Sequence, residues 1–149
     1  MKGIAELEGK IGYEFSDKDL LHRALTRKAY AKEQQDKDYN CADQTVLSTL
    51  GDAVWKLAVS EYLLDKDCNT SGQLTIERSG FENEEKQVKI AQYLRIWDFI
   101  RTNLGEEKVN AKGNPRVLAT TLEALIGAIF LDTKKYEDTK EVISKWFKI

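Results

Sequence analysis

Apolar side chains recur at intervals of three and four residues through two long stretches of the chain, and these stretches set the expected fold. From Gln44 to Tyr62, QTVLSTLGDAVWKLAVSEY, the apolar positions Val46, Leu47, Leu50, Ala53, Val54, Leu57 and Ala58 have the spacing of a helix buried along a broad face. From Val117 to Leu131, VLATTLEALIGAIFL, nearly every residue is apolar, which predicts a second core helix. Each apolar run is interrupted by one acid and one glycine, Asp52 with Gly51 in the first and Glu123 with Gly127 in the second. A glycine inside a helix costs about 1 kcal/mol relative to alanine, so Gly51 predicts the close approach of another backbone, with Asp52 beside the contact.

The rest of the pattern is helical as well. Ile4, Leu7 and Ile11 predict a short amphipathic helix ending at Gly9 or Gly12. Ser16-x-x-Asp19 reads as a loose capping box ahead of Leu20, Leu21, Ala24 and Leu25. Residues 32–43, KEQQDKDYNCAD, lack a period and are expected to form an exposed loop whose mixed charges are solvated. After a turn from Asp65 to Thr70, Ser71 is the expected N-cap of a helix through Leu74 and Ile76 to Arg78. Asn83 is expected to cap the next helix, with Val88, Ile90, Ala91 and Leu94 on its apolar side. Arg95 to Ile100 predicts a helical turn packing Trp97 and Phe99, and Thr102 to Pro115 the longest irregular stretch. Pro115 opens the second core helix, where its fixed φ is tolerated, and Tyr136, Val142, Ile143, Trp146 and Phe147 mark a closing helix. No strand is predicted, so the fold class is all-α.

Composition narrows the function classes. The 149 residues fit one domain over 1–149, and 42% hydrophobic and 32% charged residues with a single proline favour a globular chain over a disordered one. A formal net charge of −2 excludes global attraction to nucleic acid, so any such binding must use a local basic surface. Cys41 and Cys68 have neither zinc-ligand nor disulfide-framework spacing and read as free thiols. No stretch has the length of a signal-peptide core or a membrane span, and a cytoplasmic protein is expected.

Several segments, taken in order, carry a family likeness: IGYEFSDKDLLHRALT with Tyr30 after it, LGDAV at 50–54 followed by VSEYL at 59–63, SGQLT at 71–75 with Arg78, Asn83, GEEK at 105–108, and LEALIGAIFLD at 122–132. Together they resemble the endonuclease domain of the ribonuclease III family over almost the whole chain. The resemblance implies that family's all-helical fold and a symmetric homodimer. It also implies hydrolysis of double-stranded RNA by water activated on Mg²⁺ or Mn²⁺, leaving 5′-phosphomonoesters. Members commonly carry a second, RNA-binding domain; this chain looks like the short, stand-alone type, and whether a separate RNA-binding protein supplies that domain stays open.

Mg²⁺ is a hard cation that takes oxygen ligands, and the family supplies four acids from two helices. One pair ends the pattern ERLEFLGD and the other lies in ADALEALIGA. Two of the four positions are acids here, Asp52 and Glu123, and the other two are Ser48 and Thr120. Neutral hydroxyls in place of carboxylates remove two charges, leaving at most a weakly held ion and no two-metal arrangement. The family's other positions on this face also differ: Thr45 and Val46 stand for its first Glu and its Arg, and Thr49 for the Phe that inserts into the partner subunit. Arg27 stands where many members have His.

Three functions follow as alternatives: an RNA-contacting domain whose cleavage is weak or lost, a working nuclease that recruits a further acid such as Asp43 or Glu77, and a protein-interaction dimer without RNA. Asp52 and Glu123 are either remnant metal ligands or structural groups, Lys56 one turn beyond Asp52 being a ready partner. Candidate RNA contacts are Lys28, Arg78, Lys108, Lys112 and Arg116, of which Arg78 and Lys108 fall in the matching segments. His22 is expected to serve surface or packing, and the three tryptophans, at helical spacing in apolar surroundings, core packing rather than base stacking. The near-continuous apolarity of 122–131 is expected to need a partner subunit to cover it.

Overall fold

The computed structural model describes residues 3–149, and its helices are α1 (Ile4–Ile11), α2 (Lys18–Ala24), α3 (Lys28–Asp36), α4 (Thr45–Leu64), α5 (Ser71–Glu82), α6 (Glu84–Leu94), α7 (Leu104–Lys108), α8 (Pro115–Thr133) and α9 (Tyr136–Ile143). Short 3-10 turns follow at Ile96–Asp98, Ala111–Gly113 and Ser144–Lys148. Among the described residues the sole β-type pairing is an isolated bridge between Thr26 and Arg101, so the fold is all-α.

The centre is α8, packed against α4, α6, α2 and α9. It opens with Asn114, whose side chain accepts from the Arg116 amide, and with Pro115 in its first turn. Leu122, Ala124, Leu125, Ile126, Ala128 and Ile129 are all buried within the chain. No partner subunit is therefore needed to cover α8; its apolar circumference is explained by its place in the middle of the core. The uncovered apolar positions lie elsewhere. On α4 the buried stripe is Leu47, Gly51, Val54, Trp55, Ala58 and Val59, while Val46 (63% exposed), Ala53 and Leu57 (51%), expected in the core, face solvent. On α5 no residue is fully buried, and Ile76 is 73% exposed.

The α4–α8 contact is fixed by the two glycines. A Cβ on Gly51 would fall 1.7 Å from the carbonyl oxygen of Glu123, and one on Gly127 would fall 2.1 Å from that of Leu47. The predicted close approach is thus present and reciprocal, and it determines which side chains of the two helices meet.

Several local expectations need correction. The N-cap of α2 is Asp17, which accepts from the Asp19 amide, and not Ser16, whose own N–H donates to Asp132. Residues through Asp36 of the expected loop are helical in α3, because Ala31 is buried and anchors one face. Thr70 rather than Ser71 caps α5, accepting from Gln73, and that helix runs on to Glu82. The stretch before Pro115 contains α7, capped by Asn103, and a 3-10 turn. Asn83 caps α6 as expected, and Gly12 ends α1 at φ +77, a left-handed conformation open to glycine.

Candidate active site and nucleic-acid face

The glycine contact brings the two predicted acids, Asp52 and Glu123, into one neighbourhood. On α4, Ser48 lies three residues before Gly51 and Asp52 one after it; on α8, Glu123 lies one turn before Gly127. Ser48 Oγ donates to Glu123 Oε2 at 3.3 Å, and Gln87 of α6 hydrogen-bonds the same carboxylate. Burial, then the negative charge of Asp52, raises the Glu123 pKa above the usual carboxylate range. Asp52 is more open, and its Oδ2 lies 3.0 Å from Lys56 Nζ one turn along the helix. That hydrogen bond and the carboxylate's charge raise the Lys56 pKa. Lys56 also feels Glu82 and Arg78, which are paired with each other at 2.7 Å, so Arg78 belongs to the same neighbourhood.

The site is thus a hydrogen-bonded polar cluster that keeps a net negative charge. Two carboxylates are held by a hydroxyl, an amide and an ammonium, and Thr120 adds a partly buried hydroxyl one helical turn from Glu123. Among the described residues no three His, Cys, Asp or Glu side chains converge as a cation cage. The extra acids considered from sequence are committed elsewhere: Asp43 accepts from the amide and hydroxyl of Thr45, and Glu77 accepts from Gln73.

The basic candidates are dispersed. Lys28 and Arg116 are exposed at the starts of α3 and α8, and Lys108 is exposed at the end of α7. Lys112 lines a cleft with Trp97 and Asn110. Arg27 joins α7 through Glu106 at 3.1 Å. Sequence reasoning missed Gln87 and Glu82. Gln87 was detectable in principle: it opens the buried stripe 87, 90, 91 and 94 of α6, and a polar residue on a core stripe implies a buried partner. Of the tryptophans, Trp55 and Trp146 are core as expected, but Trp97 is half-buried.

Comparison with known proteins agrees with this geometry. The Ribonuclease III domain family matches residues 45–134. Ribonuclease 3 of Campylobacter jejuni is 42% identical over 133 residues, covering 89% of this chain and 56% of that protein. Ribonuclease 3 of Natranaerobius thermophilus is 40% identical over 149 residues, covering 99% of this chain and 62% of that protein. The chain therefore spans less than two thirds of the length of these relatives. A solved structure of the nuclease domain of Ribonuclease III from C. jejuni, described for structural flexibility in the region involved in dimer formation, superposes with a TM-score of 0.87 at 36% identity, covering 97% of this chain and 95% of that one. A second structure of that domain, at 2.2 Å resolution, gives 0.86 at 37% identity. With the all-helical core, the α4–α8 crossing and these matches in agreement, the chain belongs to the ribonuclease III family.

Proposed function

We propose that this chain is a ribonuclease III-type domain that contacts double-stranded or structured RNA as a homodimer, and in which phosphodiester cleavage is weak or lost. The observation that carries this reading is the state of the two acids at the α4–α8 crossing. Asp52 is paired with Lys56 and Glu123 is hydrogen-bonded by Ser48, so each has an intrachain partner where a cation-binding centre needs free carboxylate oxygens. The donor set does not fit a two-magnesium centre. Two carboxylates and two hydroxyls give half the negative charge that the family's four acids would supply, and Lys56 competes with an ion for Asp52.

RNA contact is supported by the family membership and by Arg78 beside the acid pair, with Lys108, Lys112, Arg116 and Lys28 further along the surface. A-form RNA is recognised mainly through phosphates and 2′-hydroxyls, which a few spaced cations can serve in a chain of net negative charge. Dimerisation is supported by the exposed Val46, Leu57 and Ile76 and by the dimer-forming region of the C. jejuni domain. Two unpaired cysteines and no helix, among the described residues, long and apolar enough to cross a membrane agree with a cytoplasmic setting.

The deciding experiment incubates labelled double-stranded RNA with the protein and Mg²⁺ or Mn²⁺, beside an Asp52→Asn control and a binding assay on the same RNA. Binding without cleavage is expected. Cleavage that vanishes in the control would establish a working nuclease instead, and no binding at low salt would leave a protein-interaction dimer.

A further inference from the structure

Trp97 stands in a different setting from the other two tryptophans. It lines an open cleft of about 560 Å³ between the end of α6, the 3-10 turns at 96–98 and 111–113, and the first turns of α8. That volume lies within the range of small-ligand sites, roughly 300–1,000 Å³. Leu118 contributes apolar surface, Gln92 and Asn110 contribute two side-chain amides, and Lys112 contributes an ammonium with no ion-pair partner among the described residues. Asp98 also lines the cleft, its carboxylate 3.3 Å from the Arg95 guanidinium, which lies over one face of the Trp97 ring, 5.6 Å from its centroid, so only the opposite face is left for stacking. Two non-glycine residues in left-handed conformation, Arg95 (φ 54) and Asn110 (φ 52), make the turns that bring these groups together.

An aromatic face, amides that both donate and accept, and a cation match the three parts of a nucleotide: base plane, base edge and phosphate. Gln87 touches Glu123 at the α4–α8 crossing, and Gln92 lies five residues further on in the same helix, about 7.5 Å along its axis and about 140° around it. Fully paired RNA buries its bases in the stack, so a base can enter this cleft only from an unpaired position.

We propose that the cleft holds the base of an unpaired RNA nucleotide, stacked on Trp97, with its edge met by Gln92 and Asn110 and its phosphate by Lys112. The proposal rests on the reading of this chain as an RNA-contacting domain. It adds that the domain prefers duplexes carrying a bulge or single-stranded end.

The test titrates the full chain with a blunt duplex, with the same duplex carrying a short single-stranded 3′ end, and with adenosine monophosphate alone, following both binding and tryptophan fluorescence. Trp55 and Trp146 are buried, so fluorescence changes on contact report chiefly on Trp97. The overhang duplex is expected to bind on the order of tenfold tighter than the blunt one, with quenching. Trp97→Leu should bring that ratio towards one. Asn110→Gly, which retains the left-handed turn, should lower the ratio too, and it carries the test if Trp97→Leu does not fold. Equal affinity for the two duplexes would overturn the cleft assignment while leaving the RNA-contact reading intact. Binding of neither duplex would bring down both. Adenosine monophosphate binding as tightly as the overhang duplex would make this a free-nucleotide site and overturn the RNA assignment.

Discussion

The two sides of the α4–α8 crossing respond to different demands. On the backbone side, Gly51 and Gly127 interlock so closely that neither position has room for a single additional carbon. On the side-chain side, one turn away, Ser48 and Thr120 offer hydroxyls, and the carboxylates of Asp52 and Glu123 have cationic or neutral partners. Packing tolerates no such change, because protein interiors are as dense as organic crystals and the atoms have nowhere to move. A half-exposed polar cluster can trade a carboxylate for a hydroxyl at small cost. Backbone packing and side-chain chemistry thus answer to separate constraints within a few ångströms. The sharpest way to break that contrast is Gly51→Ala. Its Cβ would lie 1.7 Å from backbone, so the helices must part, and a loss of about 3 kcal/mol or more is expected in urea unfolding. Near-wild-type stability would show that the crossing is loose and the contrast unfounded.

The same division explains what could be read from the sequence. The two core helices and the glycine contact were legible because periodicity and an interior glycine are local signals with one dominant cause. The buried face of α4 was only half legible. Val46, Ala53 and Leu57 are apolar at helical spacing, yet they line the open side, and spacing does not distinguish a core stripe from a surface awaiting a partner. The caps at Asp17 and Thr70 were misplaced by one residue because neighbouring positions offer equally good acceptors, and tertiary geometry chooses. The acid pair was legible from motif, but Gln87 comes from a third helix, and no spacing rule joins it to Glu123.

The next effect in size concerns the site itself. Ser48→Glu combined with Thr120→Asp places four carboxylates at the crossing. Without divalent cation the added charges repel Asp52 and Glu123, and a destabilisation of about 2 kcal/mol is expected. Mg²⁺ should restore it, since a ligand that binds the folded state alone stabilises by mass action. Thermal unfolding with and without millimolar Mg²⁺ checks this. A Mg²⁺-dependent rise in Tm confined to the double variant would sharpen the contrast between scaffold and chemistry. An identical response in the unaltered chain would show that two carboxylates suffice.

A smaller change in stability, with a large change in assembly, is expected at the open face of α4 and α5. Leu57→Lys and Ile76→Lys alter exposed positions, so the unfolding free energy should move by no more than about 0.5 kcal/mol. Sedimentation should nevertheless shift from dimer to monomer, because a charge at the core of an apolar interface must be desolvated without a partner. A wild-type chain already monomeric at micromolar concentration would remove this interface.

The smallest expected effect, and the one with the clearest sign, is at Glu123. Burial and the charge of Asp52 raise its folded-state pKa above the unfolded value near 4.5. In the pH interval between those two values the folded chain binds more protons at this group than the unfolded chain does, so stability falls as pH rises. The penalty is complete above the folded pKa and is relieved as pH drops through it towards 4.5. Glu123→Gln removes the charge while leaving an oxygen to accept from Ser48, so it should raise Tm at pH 7, and the gain should shrink as the pH is lowered towards 4.5. Asp132 works in the opposite direction and must be separated from it. Although desolvation opposes this, hydrogen bonds from Tyr13 and from the amides of Asp17 and Ser16 hold its pKa below the usual value, so its contribution is lost on acidification below about 4. Comparing the variant with the unaltered chain at each pH cancels the Asp132 contribution, and the difference isolates Glu123. A gain that stays constant from pH 7 to 4.5 would mean that Glu123 is not held as a strained carboxylate, and the cluster at the crossing would then be as well settled as the glycine contact beside it.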